Sequence, residues 1–145
     1  MATTTPNFGW TVPTSSDLVK NGATAIETLG DSVDASFAGL TVNPQTGTSY
    51  TAVKADGLNA IVTMDNASAN TFSMPTDATY AFPTGTTLLV YMKGAGVTTI
   101  TATTPGTTTI NSAGAVAASP VLAQYKSAAC IKVAANSWIV VGAIA

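Results

Sequence analysis

The chain has 145 residues, with five lysines, seven acids and no histidine, for a net charge of −2 and a pI near 4.5. Without arginine, and with so few cations, it lacks the clustered positive face that holds a phosphate backbone, so nucleic acid is excluded as a partner. Only 8% of residues are charged and 46% are hydrophobic, which excludes disorder and points to one ordinary domain with an extension.

The first stretch, residues 1–13, reads as an extended arm. Pro6 and Pro13 forbid helix, and Phe8, Trp10 and Val12 place apolar side chains at a period of two. Next come Thr14, Ser15 and Ser16, good N-cap residues ahead of Asp17, whose carboxylate meets the positive end of a helix dipole. The spacing predicts a helix from about Asp17 to Phe37. At 100° per residue Val19, Gly22, Ile26, Leu29, Val33 and Phe37 fall on one stripe, which Leu40 continues, while Glu27, Asp31 and Asp34 lie away from it. The stripe also fits a heptad, weakened at Gly22 and Ser36. Gly22 and Gly30 at its edge are expected where a neighbouring backbone comes close. Two coverings fit the stripe: the chain's own β-zone, or a helix bundle shared between copies.

From about Leu40 onward the chain reads as strands and turns. The segments "SYTAV", "NAIVTM", "NTFSM", "TTLLVYMK", "VTTITAT", "TTTINS", "ACIKVA" and "SWIVVGAI" are rich in β-branched and aromatic residues. Gly, Pro, Asn and Asp separate them. Short strands with no helix between them predict a mainly β fold, an antiparallel sandwich or barrel of jelly-roll kind, over residues 41–145. No clear internal repeat is visible. The last two strands form a hairpin turning at Asn136 and Ser137. The final strand is apolar at nearly every position, which predicts burial on both faces, inside the domain or at a subunit contact.

Residues for catalysis are scarce. Without histidine the usual serine triad is excluded, and the acids of the β-zone reduce to Asp56, Asp65 and Asp77, each at a turn where a carboxylate bonds local backbone N–H groups. Asp65 and Asn66 in "MDNAS" bring too few oxygens for calcium, so neither metal nor cofactor is expected. Asn66 also opens a glycosylation-type triplet, which means little without a secretion signal. Gly94 and Gly96 in "KGAGVTT" lack the lysine and helix of a phosphate loop. Cys130, the single cysteine, reads as a buried, inert thiol. Tyr50, Tyr80, Tyr91, Tyr125 and Trp138 could form a sugar-stacking platform, although such residues more often pack in a core. The opening "MATTTPNFGW" has no basic start before an apolar run, and "WIVVGAIA" is too short to span a bilayer. A protein made in a cytoplasm, with no membrane partner, is expected.

Charge divides the chain unevenly. Residues 1–37 hold one lysine against four acids, net −3, and residues 38–145 hold four lysines against three acids, net +1. An acidic amphipathic docking element ahead of a nearly neutral module fits that division.

The opening "PNFGWTVPTSSDLVKNGATAIETLGDSVDAS" resembles the N-terminal segment of many tailed-bacteriophage fibre and appendage proteins: an aromatic, proline-marked arm and then a "TDLVKDGA-AI--LG--ID" pattern. Ser16 to Ala23, Ala25-Ile26, Leu29-Gly30 and Val33-Asp34 carry the match. Downstream, "NPQTGTSYTAVKADGLNAIVTMDNASANTFSMP", "FPTGTTLLVYMKGAGVTTI", "TINSAG" and "CIKVAANSWIVVG" resemble a small β-domain at the distal end of phage structural proteins.

The resemblance implies a trimeric, non-enzymatic virion structural protein. Residues 1–40 would anchor it to the major capsid protein or another virion protein, and the β-domain would face outward. Phe8, Trp10 and Val12 would grip the particle or a neighbouring chain. Val19, Gly22, Ile26, Leu29, Val33 and Phe37 would form the seam between copies. No shaft separates anchor from head, which favours a capsid decoration or head-fibre protein over a long tail fibre. The alternative is a tail-fibre, tail-tip or baseplate protein that binds a host receptor or surface glycan.

Overall fold

The structure, a computed structural model, describes residues 3–6, 8–14 and 21–145. It divides into two compact units, Met1–Leu40 and Thr41–Ala145. Ser15, Ser16, Asp17, Val19 and Lys20, which include the expected caps and the first seam residue, lie outside the described residues.

In the first unit, β1 (Thr3–Thr4) pairs antiparallel with β2 (Thr11–Val12), and α1 spans Gly22–Phe37. The arm is therefore a short hairpin, where the sequence predicts an extended segment. Gly9 supplies the reversal with a φ of +69°, a conformation that costs glycine nothing. The Thr5 N–H donates to the Trp10 carbonyl (2.9 Å) and the Trp10 N–H to Thr5 Oγ1 (3.0 Å), closing the turn.

The second unit is built of β3 (Thr41–Gln45), β4 (Ser49–Thr51), β5 (Ala60–Met64), β6 (Asn70–Met74), β7 (Thr87–Met92), β8 (Thr98–Ala102), β9 (Thr109–Asn111), β10 (Val121–Leu122), β11 (Ser127–Ala134) and β12 (Ser137–Gly142). One 3₁₀ turn, Lys54–Gly57, interrupts them. The fold is mainly β, in two sheets. The larger has the order β3-β5-β7-β11-β12-β9 and the smaller β10-β8-β6-β4.

From β3 to β8 the chain alternates strictly between the sheets, so neighbours within a sheet are two strands apart in sequence and run parallel. This corrects the antiparallel, jelly-roll-like expectation: antiparallel pairing between the strands of this unit is confined to β7-β11, β11-β12 and β8-β10. The physical reason lies in the connections. The links "TGT", "DNASA" and "KGAGV" lead from one sheet to the other, so the chain coils where a hairpin would double back.

Two coils match position for position. Ile61 pairs with Leu89 in the larger sheet and Asn70 with Thr98 in the smaller, an offset of 28 residues on both sides of the turn, so an internal repeat exists that the sequence does not display. The turns that join the sheets therefore stack. A Cβ on Gly94 would overlap the Asn66 backbone, and one on Gly96 the Ser68 carbonyl.

Alternation along the strands points Val62, Met64, Leu88, Val90, Met92, Cys130, Trp138 and Val140 of one sheet, and Phe72, Met74, Ile100 and Leu122 of the other, into one shared core. The opposite faces differ sharply. On the smaller sheet, Ser49, Thr71 and Thr99 lie in one row and Thr51, Ser73 and Thr101 in the next, so hydroxyls meet the solvent. On the larger sheet, Val42, Ile61, Leu89, Ala129 and Val141 form one row across five strands.

The last hairpin forms as expected, with the turn one residue earlier, at Ala135 and Asn136, and Asn136 in the left-handed region. Two strands escape sequence reading. Pro44 sits within β3, which is tolerated because β3 is an edge strand, and β10 has only two residues.

Replacement of Gly94 by alanine forces a backbone shift in the stacked turns. It is expected to destabilise the β-unit by about 2 kcal/mol, read as a fall in Tm, while Gly39→Ala, where an added Cβ meets nothing, leaves Tm unchanged.

Candidate functional site

The residues expected to anchor the protein lie in the first unit. Phe8 and Trp10 stack with ring centroids 4.8 Å apart and an interplanar angle of 21°. The Trp10 indole N–H donates to Ser36 Oγ on α1 (3.2 Å), whose own hydroxyl donates to the Ser32 carbonyl (2.8 Å). Hairpin and helix are thereby joined on a polar row, with Thr28 and Ser32 hydroxyls also donating to carbonyls four residues back. Val12 is half-buried and Phe8 exposed.

On the helix, Gly22, Leu29 and Val33 are partly covered, whereas Ile26 is 65% and Phe37 73% exposed. No residue of α1 is buried. Among the described residues of its own unit, a Cβ at Gly22 or Gly30 would meet nothing within 4 Å, so the close approach that those glycines suggest is not made there.

The acids of the β-unit are committed to partners. Asp56, buried, accepts from the Tyr50 hydroxyl (2.9 Å), the Asn43 amide (2.7 Å) and the Val53 N–H (2.8 Å). Burial, reinforced by that carboxylate, pushes the Tyr50 phenol up to about 12. Asp65 pairs with Lys93 (2.6 Å) on the stacked turn above it. Asn66 donates to the Thr46 carbonyl (2.7 Å) and accepts from the Ser68 N–H (2.8 Å), so its side chain braces the turn.

Asp77 pairs with Lys132 and also accepts from the Asn136 N–H (3.1 Å), tying the segment after β6 to the last hairpin. Lys132 is only 2% exposed and lies 5.9 Å from the Trp138 ring centroid. Sequence reading misses this buried cation. The signal is its parity, because Lys132 shares the core-facing register of Ala128 and Cys130.

Among the described residues no group of three potential metal ligands comes together, and no helix is long and apolar enough to cross a membrane. Trp138 is fully buried, edge-on to Phe82 at 5.5 Å, which removes it from any sugar-stacking surface. Tyr50 is held by Asp56, and Tyr80 and Tyr125 remain exposed. Cys130 is buried, and loss of hydration raises its thiol to about 12. These side chains brace turns and core. Comparison with protein-family models, curated proteins and solved structures gives no match to the chain.

With its acidity so weakened, the Cys130 thiol holds about one thiolate in ten thousand at pH 8, so it is expected to resist a thiol reagent until the protein is unfolded in denaturant. Asp77→Ala would strand a buried ammonium and is expected to cost about 3 kcal/mol. Lys132→Met, of similar volume, is expected to cost about 1 kcal/mol or less, with both values read from urea unfolding midpoints.

Proposed function

We propose that the chain is a non-enzymatic virion structural protein of a tailed bacteriophage: a short homotrimeric surface appendage, of capsid-decoration or head-fibre type, anchored by residues 1–40. The β-unit, read as a two-sheet sandwich, forms its outward part. The observation that carries this reading is a 16-residue helix with no buried residue and with Ile26 and Phe37 exposed.

Such a helix is poorly supported within its own unit. Isolated helices shorter than about 12–15 residues are marginal in water and one of 16 is little better, and Gly30, inside it, costs about 1 kcal/mol relative to alanine. Burial of Ile26 and Phe37 against another polypeptide would return about 1.5–3 kcal/mol for each, and that of the partly covered Leu29 and Val33 less. Copies of the same chain and a virion protein are the partners this calls for, and symmetry repeats the gain in every subunit. The phage assignment itself comes from the resemblance of residues 6–36 and of the β-segments. The alternative, a tail-tip or baseplate glycan binder, keeps Tyr80 and Tyr125 and loses Trp138.

Ile26→Asp with Leu29→Asp is expected to abolish attachment to the particle or trimer formation while the β-unit keeps its far-UV spectrum and melting. A doubly substituted chain that decorates particles normally would refute the anchor. Copy number per particle separates the two locations, hundreds for a capsid and a handful for a tail.

A further inference from the structure

Tyr125 stands in a backbone conformation that a tyrosine rarely adopts. Its φ is +63°, in the left-handed region, where the other non-glycine residues among those described are asparagines and alanines. The cause is a β-bulge just ahead of β11. The Tyr125 N–H donates to the Met92 carbonyl (2.7 Å) and the Met92 N–H to the Lys126 carbonyl (2.9 Å), so Tyr125 and Lys126 together face one residue of β7. The Lys126 N–H, donating to the Ala123 carbonyl (3.1 Å), closes the turn that leads into the bulge. The first position of such a bulge normally belongs to glycine, which takes the left-handed conformation without strain. Tyr125 bears that strain and recovers none of it by burial, since it is 68% exposed. Strain that folding does not use marks a position held for something else.

The bulge sets Tyr125 beside other groups suited to a ligand. On the outer face of the larger sheet Thr63, Tyr91 and Ser127 form a row across β5, β7 and β11, with Tyr91 partly exposed. Two residues further along the chain from Thr63 and Tyr91, and so of the same parity, Asp65 and Lys93 form their largely solvated pair (2.6 Å). Asp65 foremost, and the Tyr91 phenol to a lesser degree, hold the Lys93 ammonium above its ordinary value, which places that phenol near the pair. Gln124 ties the bulge to the same corner, its amide donating to the Lys93 carbonyl (3.5 Å).

We infer that this corner is a saccharide-binding site, with Tyr125 and Tyr91 as stacking faces and the Asp65–Lys93 pair as the group that reads hydroxyls. Tyrosine offers a rigid surface, apolar in the body and polar at the tip, which suits a sugar ring with C–H groups on its face and hydroxyls at its rim. The ion pair sets an acceptor and a donor side by side, as vicinal hydroxyls require, and Asp65 already answers the Lys93 charge, so the pair selects a neutral ligand over an anion. The size fits as well. Three strands span about 10 Å and two rows about 7 Å, room for one or two rings and far below the roughly 800 Å² per partner of a stable protein interface. The inference rests on the glycan-binding alternative above and gives it a site; it is independent of the anchor in residues 1–40.

The test uses the full chain on a microarray of neutral hexose and N-acetylhexosamine oligosaccharides, with sulfated and carboxylated counterparts alongside. The wild type is expected to bind neutral spots, and both Tyr125→Gly and Tyr91→Ala to weaken that binding by about tenfold or more, while Thr99→Ala on the hydroxyl face of the smaller sheet leaves it unchanged. Because glycine relieves the bulge, Tyr125→Gly is expected to melt no lower than the wild type, which separates loss of a ligand contact from loss of structure. A fall in its Tm would mean that the tyrosine serves folding and would overturn the inference, as would binding confined to the acidic spots. Equal binding by wild type and Tyr125→Gly would leave the chain a glycan binder and remove this site. Silence of the wild type on every neutral spot would remove both, and particle attachment would still report on the anchor.

Discussion

The β-unit depends on two turns lying directly on one another. Residues 65–69 and 93–97 each carry the chain from the larger sheet to the smaller, and both sheets keep the 28-residue register only if the two crossings have the same length and path. Gly94 and Gly96 let the upper turn settle onto the Asn66 and Ser68 backbone. The Lys93–Asp65 pair spans the same stack, but both side chains are largely solvated, so it contributes little. Inside the corner, the Thr98 hydroxyl donates to Asn70 Oδ1 (2.6 Å) and the Asn70 amide to the Ser68 carbonyl (3.1 Å), so the polar groups buried by the stacking are satisfied. Backbone contact at glycine sets the geometry, and the core follows from it, because register decides which side chains face inward.

That dependence explains what is legible in the sequence. Strand positions are readable, since "NAIVTM", "NTFSM" and "TTLLVYMK" alternate in the way a sheet with one buried face requires. Strand pairing is not. Over residues 61–74 and 89–102 only Val62, Met64, Ala67 and Thr71 recur 28 residues later, as Val90, Met92, Ala95 and Thr99, too few to reveal a repeat. Side chains in stacked coils need only share polarity by face, so Phe72 over Ile100 serves as well as identity would. The "KGAG" glycines are plain to see and their use is not, because close backbone approach depends on a neighbour that no local pattern specifies.

The candidate site shows the same divide. The helix, the aromatic pair and the apolar stripe are visible as patterns, while the docking of the arm on the helix through Trp10 and Ser36 is not, since it uses an indole hydrogen bond across 26 residues. The pairing of Asp77 with Lys132, 55 residues apart, is equally hidden. Both are contacts between side chains whose types are common and whose partners are set by the fold.

Solvent-facing surfaces carry the remaining argument. In a chain with only twelve charged side chains, hydroxyls must provide much of the solubility, and the rows of Ser49, Thr71 and Thr99 and of Thr51, Ser73 and Thr101 place them on one sheet. The larger sheet is built of the same kind of strands, yet beside a row of Thr63, Tyr91 and Ser127 it places Ile61, Leu89 and Val141 in the next. Strand propensity does not distinguish the two, because threonine and valine favour strands alike. What separates them is the free energy of leaving aliphatic groups in water, a cost that only a covering surface removes. The final strand, apolar on both faces, has Trp138 and Val140 in the core and Ile139 and Val141 outside it, so only half of its apolar side chains are used by the fold of the unit.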